Sequence, residues 1–221
     1  MTLSPLPLLE TRVLGVLIEK QHTVPDTYPL TLNALTAGCN QKSSRDPVLD
    51  ASDAEVQAAV DDLKRLSLVL ETSGGRVMRY AHNFGRVLEI PPQATALLAV
   101  LMLRGPQTVG ELRINTERLH RFADTSSVEA FLRELADRPA GALVVELPRQ
   151  PGAREPRWAH LLSGPPAVAP SATTAVSSSS QPRAPDEVAS LRAEVARLAS
   201  ELEATQAVVA RLCRQLGVED A

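Results

Sequence analysis

Aromatic residues make up only 3% of the 221-residue chain. Its cores must therefore be built from Leu, Val and Ala, which suits packed helices better than a large sheet. No run approaches the roughly 20 consecutive apolar residues that a membrane helix requires. The opening stretch MTLSPLPLLE has neither a basic start nor a hydrophobic signal core. These absences lead to the expectation of a soluble, cytoplasmic protein with no membrane partner. Cysteine is also scarce: Cys39 and Cys213 fall in segments of different character, which outlines neither a disulfide framework nor a zinc site. An excess of positive charge is missing too, because 23 Lys and Arg face 26 Asp and Glu for a net charge of −3. That balance is not a polyanion binder's signature, yet it leaves room for a local basic patch.

Also lacking are a Gly-rich phosphate loop, metal-ligand spacing among the four histidines, and a His and Asp arrangement that would make Cys39 a nucleophile. The expectation is a non-enzyme without cofactor or metal. What the chain does have is 44% hydrophobic residues and the length for two modest domains with separate cores. After Gly164 the composition turns to Pro, Ser, Ala and Thr in PPAVAPSATTAVSSSSQPRAPDE, which reads as a disordered linker over residues 165–185. Beyond it, Val188, Leu191, Val195, Leu198, Leu202, Val209, Leu212 and Leu216 fall on alternating steps of three and four, with Thr205 the one polar interruption. This seam predicts a coiled coil over 186–217 and a parallel homodimer. The alternative is one amphipathic helix folded back on the body.

Upstream of the linker the chain repeats itself. Val56, Ala59, Val60 and Leu63 form a helical stripe after Ser52 or Asp53, and Val128, Phe131, Leu132 and Leu135 repeat it after Ser126 or Ser127. Each stripe leads into a strand, LVLET or ALVVEL, then a turn, SGG or RQPGA, then a second strand. Each unit also opens with a helix pair. In the first, ETRVLGVLIEK is followed by LTLNALTAG beyond a loop bracketed by Pro25 and Pro29; in the second, PPQATALLAVLMLRG is followed by TVGELRI. Helix, helix, helix and hairpin, twice over, predicts a mainly α fold with small β-hairpins (α+β). It predicts tandem winged-helix domains over 1–88 and 89–164.

The second strands carry a repeated motif, RVMRYAH at 76–82 and REPRWAH at 154–160. Alternate residues of a strand share a face, so Tyr80 pairs with His82 and Trp158 with His160. The architectural reading puts the aromatic under the hairpin with the His capping it by a hydrogen bond; base stacking or proton transfer is the functional alternative. Arg76 and Arg154 sit at hairpin tips, where a cation gains little by packing but can follow phosphates or enter a minor groove.

The stretches CNQKSSRDPV, LRGPQTVGELR, RLHRFAD and LPRQPGAREPRWAHLLSG resemble the YceH-like family of uncharacterised bacterial proteins. The resemblance covers roughly residues 8 to 164 and implies a tandem of winged helices, in agreement with the duplication. It leaves activity open, and a DNA-binding regulator is what the fold suggests by analogy.

A winged helix that reads DNA lays its third helix in the major groove, where phosphates demand cations. Both third helices are net acidic here: residues 52–66 carry Asp53, Glu55, Asp61 and Asp62 against Lys64 and Arg65, and residues 126–137 carry Glu129, Glu134 and Asp137 against Arg133. Positive charge gathers beside them. The expected contacts to double-stranded DNA are Gln41, Lys42, Ser43 and Arg45 in one loop, Arg76 at the first hairpin tip, Arg113, Arg118 and Arg121 around the second unit's second helix, and Arg149, Arg154 and Arg157 in its hairpin. Arg104 and His120 lie nearby. The competing expectation is a protein–protein interaction module or scaffold that docks partners on its acidic helices.

Overall fold

The computed structural model describes residues 4–73, 77–150 and 152–166. The expected coiled coil and nearly all of the expected linker lie outside the described residues. The first repeat runs α1 (Leu8–Thr23), a 3-10 turn (Pro25–Thr27), β1 (Leu30–Thr31), α2 (Leu32–Cys39), α3 (Asp53–Arg65), β2 (Val69–Ser73) and β3 (Met78–His82). A short α4 (Phe84–Val87) leads to α5 (Pro92–Arg104), α6 (Val109–Asn115), α7 (Thr125–Ala136), β4 (Val144–Glu146) and β5 (Trp158–His160). The chain is a mixture of helices and small antiparallel sheets.

Local chemistry sets the helix starts. Ser52 and Glu55 form a capping box at α3, each accepting the other's backbone N–H, and Thr108 and Glu111 do the same at α6. Helix α7 begins earlier than its serines suggest, because Asp124 accepts the Ser127 N–H at 2.8 Å, and a carboxylate there also meets the positive end of the helix. The expected stripes then face inward: Val56, Ala59, Val60 and Leu63 are buried on α3, as are Val128, Leu132 and Leu135 on α7.

The sheets repeat as the helices do, with one strand more than the sequence suggests. In the first repeat the order is β1-β3-β2, with Leu30 opposite Tyr80. In the second, β4 pairs with β5, and Gln107 bridges the other edge of β5 at Trp158 through N–H···O bonds of 3.0 and 2.7 Å. Gln107 is therefore to Trp158 what Leu30 is to Tyr80. The motif aromatic occupies the central strand of each sheet, and both rings are buried. The expected burial of the two aromatics holds, whereas the expected histidine cap does not: His82 reaches Gln21 of α1, and the His160 ring makes no hydrogen bond among the described residues.

One core serves both repeats. Every residue of α1 from Glu10 to Ile18 is buried, and so is every residue of α5 from Ala94 to Leu103. A helix buried all round must have partners all round. Among the described helices, α1 and α5 pack against each other most extensively, across the repeat boundary. The apolar residues of α3, α5, α7 and the strands join them in a single cluster. The apolar residues on both sides of the expected boundary at residue 88 thus share one core, where separate cores were expected.

Removing the Trp158 ring should cost about 3 kcal/mol, as is typical for a buried aromatic, whereas Arg154→Ala should change stability by less than about 0.5 kcal/mol. Because the core is shared, Trp158→Ala should lower one transition for the whole body in denaturant unfolding followed by circular dichroism. A second, separate transition would contradict the shared core.

Candidate nucleic-acid interface

The loop from Asn40 to Ala51 carries the first group of expected contacts, and it is held from beneath. Its two ends are clipped together by Asn40, whose amide donates to the Ala51 carbonyl at 2.7 Å and accepts the Ala51 N–H at 2.8 Å. From α1, Arg12 donates to the Cys39 carbonyl at 3.1 Å and the Pro47 carbonyl at 2.6 Å. Its side chain is fully buried and its Nε lacks a partner among the described residues. Burial and the neighbouring charge of Arg45 push the Arg12 pKa below its ordinary value.

Arg45 is not the exposed phosphate contact that the sequence suggests. Its side chain is buried, donating through Nε to the Gly38 carbonyl at 3.2 Å. Its two terminal nitrogens grip the two carboxylate oxygens of Glu19 at 3.1 and 2.6 Å. This fork-on-fork pair holds the loop to α1. Burial by itself raises the Glu19 carboxyl, but the hydrogen bonds and charge of Arg45 outweigh it and leave the pKa below its ordinary value. Lys42 and Ser43 remain exposed at the loop's crest, and the Gln41 amide turns inward to donate to the Ser43 carbonyl at 3.0 Å.

In the second repeat Arg113, Arg118 and Arg121 are exposed on α6 and the stretch after it, Arg113 donating to the Ala123 carbonyl at 3.3 Å. Arg149, Arg154 and Arg157 are exposed on the connection between β4 and β5. Arg76 lies outside the described residues. So do Val188, Leu191, Val195, Leu198, Leu202, Val209, Leu212 and Leu216 of the expected dimer seam. The two motif copies differ at their second arginine. Arg79 donates to the Thr27 and Pro29 carbonyls at 3.2 and 2.8 Å, fastening β3 to the start of the sheet edge, while Arg157 is exposed.

The cations of the third helices are occupied. Lys64 pairs with Asp61 at 3.6 Å and with Glu71 of β2, Arg65 pairs with Asp62, and Arg133 lies 3.5 Å from Glu129. What these helices offer to solvent is net negative. Sequence reasoning saw the acidity but not the pairing with Glu71, which depends on the hairpin folding back beside α3.

The repeated histidines share an environment. Burial pushes both down to about 4, with His22 adding to the effect at His82. Each has a buried Nδ1 without a partner among the described residues, while His82 Nε2 lies 2.6 Å from the Gln21 side-chain oxygen. Neither is tuned to exchange protons near pH 7. Burial also drives the Cys39 thiol up to about 12, far from a reactive thiolate. Among the described residues no group of three His, Cys, Asp or Glu is placed to hold a metal ion, and no helix is long and apolar enough to cross a membrane.

Arg45→Ala should lose about 3 kcal/mol, because it empties a buried site, frees the Gly38 carbonyl and leaves the half-buried Glu19 carboxylate with Lys20 alone. Lys42→Ala should stay within about 0.5 kcal/mol of the parent. Chemical denaturation of the two variants checks both. Acid should act through the histidines: the unfolded chain takes protons near pH 6.5, the folded one only near pH 4, so stability falls as pH drops through that window. Across the whole window the loss is on the order of 3 kcal/mol per histidine. A His82→Gln/His160→Gln variant should show a flatter stability profile between those limits than the parent.

Comparison with known proteins places the chain. The family model described as "Protein of unknown function, DUF480" matches residues 6–153. A UPF0502 protein of Burkholderia orbicola is 58% identical over 211 residues, covering 96% of this chain and 89% of the relative. One from Dechloromonas aromatica is 63% identical over 198 residues, covering 87% and 92%. One from Burkholderia thailandensis is 59% identical over 211 residues, covering 96% and 89%. In agreement with the resemblance carried by its motifs, the chain belongs to this DUF480 family of UPF0502 proteins.

Proposed function

We propose that the two repeats are tandem winged helices and that the protein is a cytoplasmic DNA-binding regulator that meets the duplex through loops and wings rather than through its third helices. The observation that carries this reading is the partition of its cations. Lys64, Arg65 and Arg133 on α3 and α7 are paired with carboxylates, whereas Lys42, Arg118, Arg121, Arg149, Arg154 and Arg157 are exposed without one among the described residues. Phosphate neutralisation supplies most of the affinity of such contacts, so unpaired cations mark where it is available. A homodimer through residues 186–217 belongs to the same proposal, since it presents two copies of the surface to two half-sites. The role is binding, not catalysis.

A second reading, a protein-interaction module, is favoured by one observation. A pocket beside Trp158 gathers Glu129, Glu146 and Glu155 against the single cation Arg133, a lining that suits a basic partner better than a phosphate backbone.

Duplex binding across a salt series separates the two. Lys42→Ala/Arg154→Ala/Arg157→Ala should weaken binding at every sequence and flatten the slope of log affinity against log salt by up to about 0.9 per lost phosphate contact. Asp61→Asn/Asp62→Asn should strengthen it by removing repulsion. Wild-type binding too weak to detect at low salt would overturn the DNA reading and favour the interaction module, whose partner would be lost when the acids are neutralised.

A further inference from the structure

Between the repeats, the end of α1, the 41–44 loop, the end of α5 and the stretch after α6 enclose a cleft of about 280 Å³. Three cations line it, Lys20, Arg104 and Arg118, against one carboxylate, Glu19. Both Glu19 oxygens are already taken by Arg45, and Lys20 shares the same carboxylate at 3.3 Å. Arg104 and Arg118 have no carboxylate partner among the described residues. Arg104 is held in place by one hydrogen bond, to Ser44 Oγ at 2.7 Å. A guanidinium carries five N–H donors, so most of its capacity is unspent. The rest of the wall is mixed: Thr23, Gln41, Ser43 and Asn115 are polar, and Val24, Val100, Leu103 and Leu119 form an apolar strip.

Two arginines that line one cleft without a carboxylate partner among the described residues offer donors and positive charge that an anion would satisfy. We propose that this cleft binds a small organic anion, a carboxylate or phosphate monoester bearing one compact apolar group. The anionic head meets Arg104 and Arg118, and the apolar part rests on Val24, Val100 and Leu119. The volume is at the lower limit for small-molecule sites, which admits about one ring with its anionic group and excludes a dinucleotide. Because the walls come from both repeats, the ligand clamps the 41–44 loop to the stretch after α6. The inference rests on the cleft alone and does not depend on DNA contact.

Calorimetric titration of the full chain tests it, with phenyl phosphate, benzoate, inorganic phosphate and benzyl alcohol as probes. One of the two organic anions should bind at one per chain, about tenfold more tightly than inorganic phosphate, and benzyl alcohol should give no heat. Arg118→Gln should weaken that binding by about tenfold or more while the circular dichroism spectrum and thermal midpoint stay at parental values. Arg104→Gln should do the same. Should its loss of the Ser44 bond disturb the loop, Arg118→Gln, whose side chain is exposed, carries the test by itself. Arg149→Gln, in the wing, should leave binding unchanged. No binding of either organic anion up to about 10 mM, or binding indifferent to both cleft variants, would overturn the proposal. Equal affinity for inorganic phosphate would reduce the site to an adventitious ion only. No DNA is present, so failure here and failure of duplex binding are distinct results.

Discussion

Helices α1 and α5 meet where Gly15 leaves no side chain: a methyl group there would lie 2.9 Å from Leu103 and 3.5 Å from the Ala99 carbonyl. Close approach of two helix backbones is what a small residue permits, and here it sets the first helix of one repeat against the first helix of the other. A second close contact lies nearby, where a side chain at Gly38 of α2 would come within 2.6 Å of Val16. Helix α1 is therefore enclosed by α2 and α3 of its own repeat and by α5 of the next. Interiors packed to this density transmit strain rather than absorb it. The chain ends of the body are tied to the same arrangement, since the Leu6 N–H donates to the Leu162 carbonyl at 2.8 Å.

The loop that carries Lys42 depends on this helix. Arg12 and Glu19 both project from α1, one holding the loop's carbonyls and the other gripping Arg45, while the Asp46 N–H donates to the Leu103 carbonyl of α5 at 2.8 Å. Two buried arginines, Arg12 on the helix and Arg45 on the loop, thus fix a polar loop against an aliphatic core. Buried charge is costly, and the fork-on-fork pairing of Arg45 with Glu19 offsets that cost. Arg12 manages with two carbonyls and no carboxylate, so its guanidinium is the most exposed to disruption if the loop moves.

Much of this was legible in the sequence. The duplicated order of helices and hairpin, the inward stripes of α3 and α7, and the pairing of Tyr80 with His82 and Trp158 with His160 follow from periodicities of 3.6 and 2 that short windows display well. The edge strand was not legible, because β1 has two residues and its counterpart is the single bridge at Gln107; two residues carry no period. The shared core was hinted at by the unbroken apolar run ALLAVLML, which belongs to a helix buried on every side. The role of Arg45 was hidden for a different reason. An arginine in a polar loop reads as solvent-facing, and only the fold brings Glu19, a turn from the end of α1, to meet it. The cleft of Arg104 and Arg118 was equally invisible, since it joins segments far apart in the chain.

The two repeats form one body organised by the α1–α5 contact, and this body fixes the loop that carries Lys42. Native-state hydrogen exchange tests that claim most directly. Amides in the middles of α1 and α5 should exchange only through global opening, with one common free energy and one common denaturant dependence. A lower opening free energy for either helix, with its own denaturant slope, would mean that the repeats unfold independently and would contradict a single cooperative body.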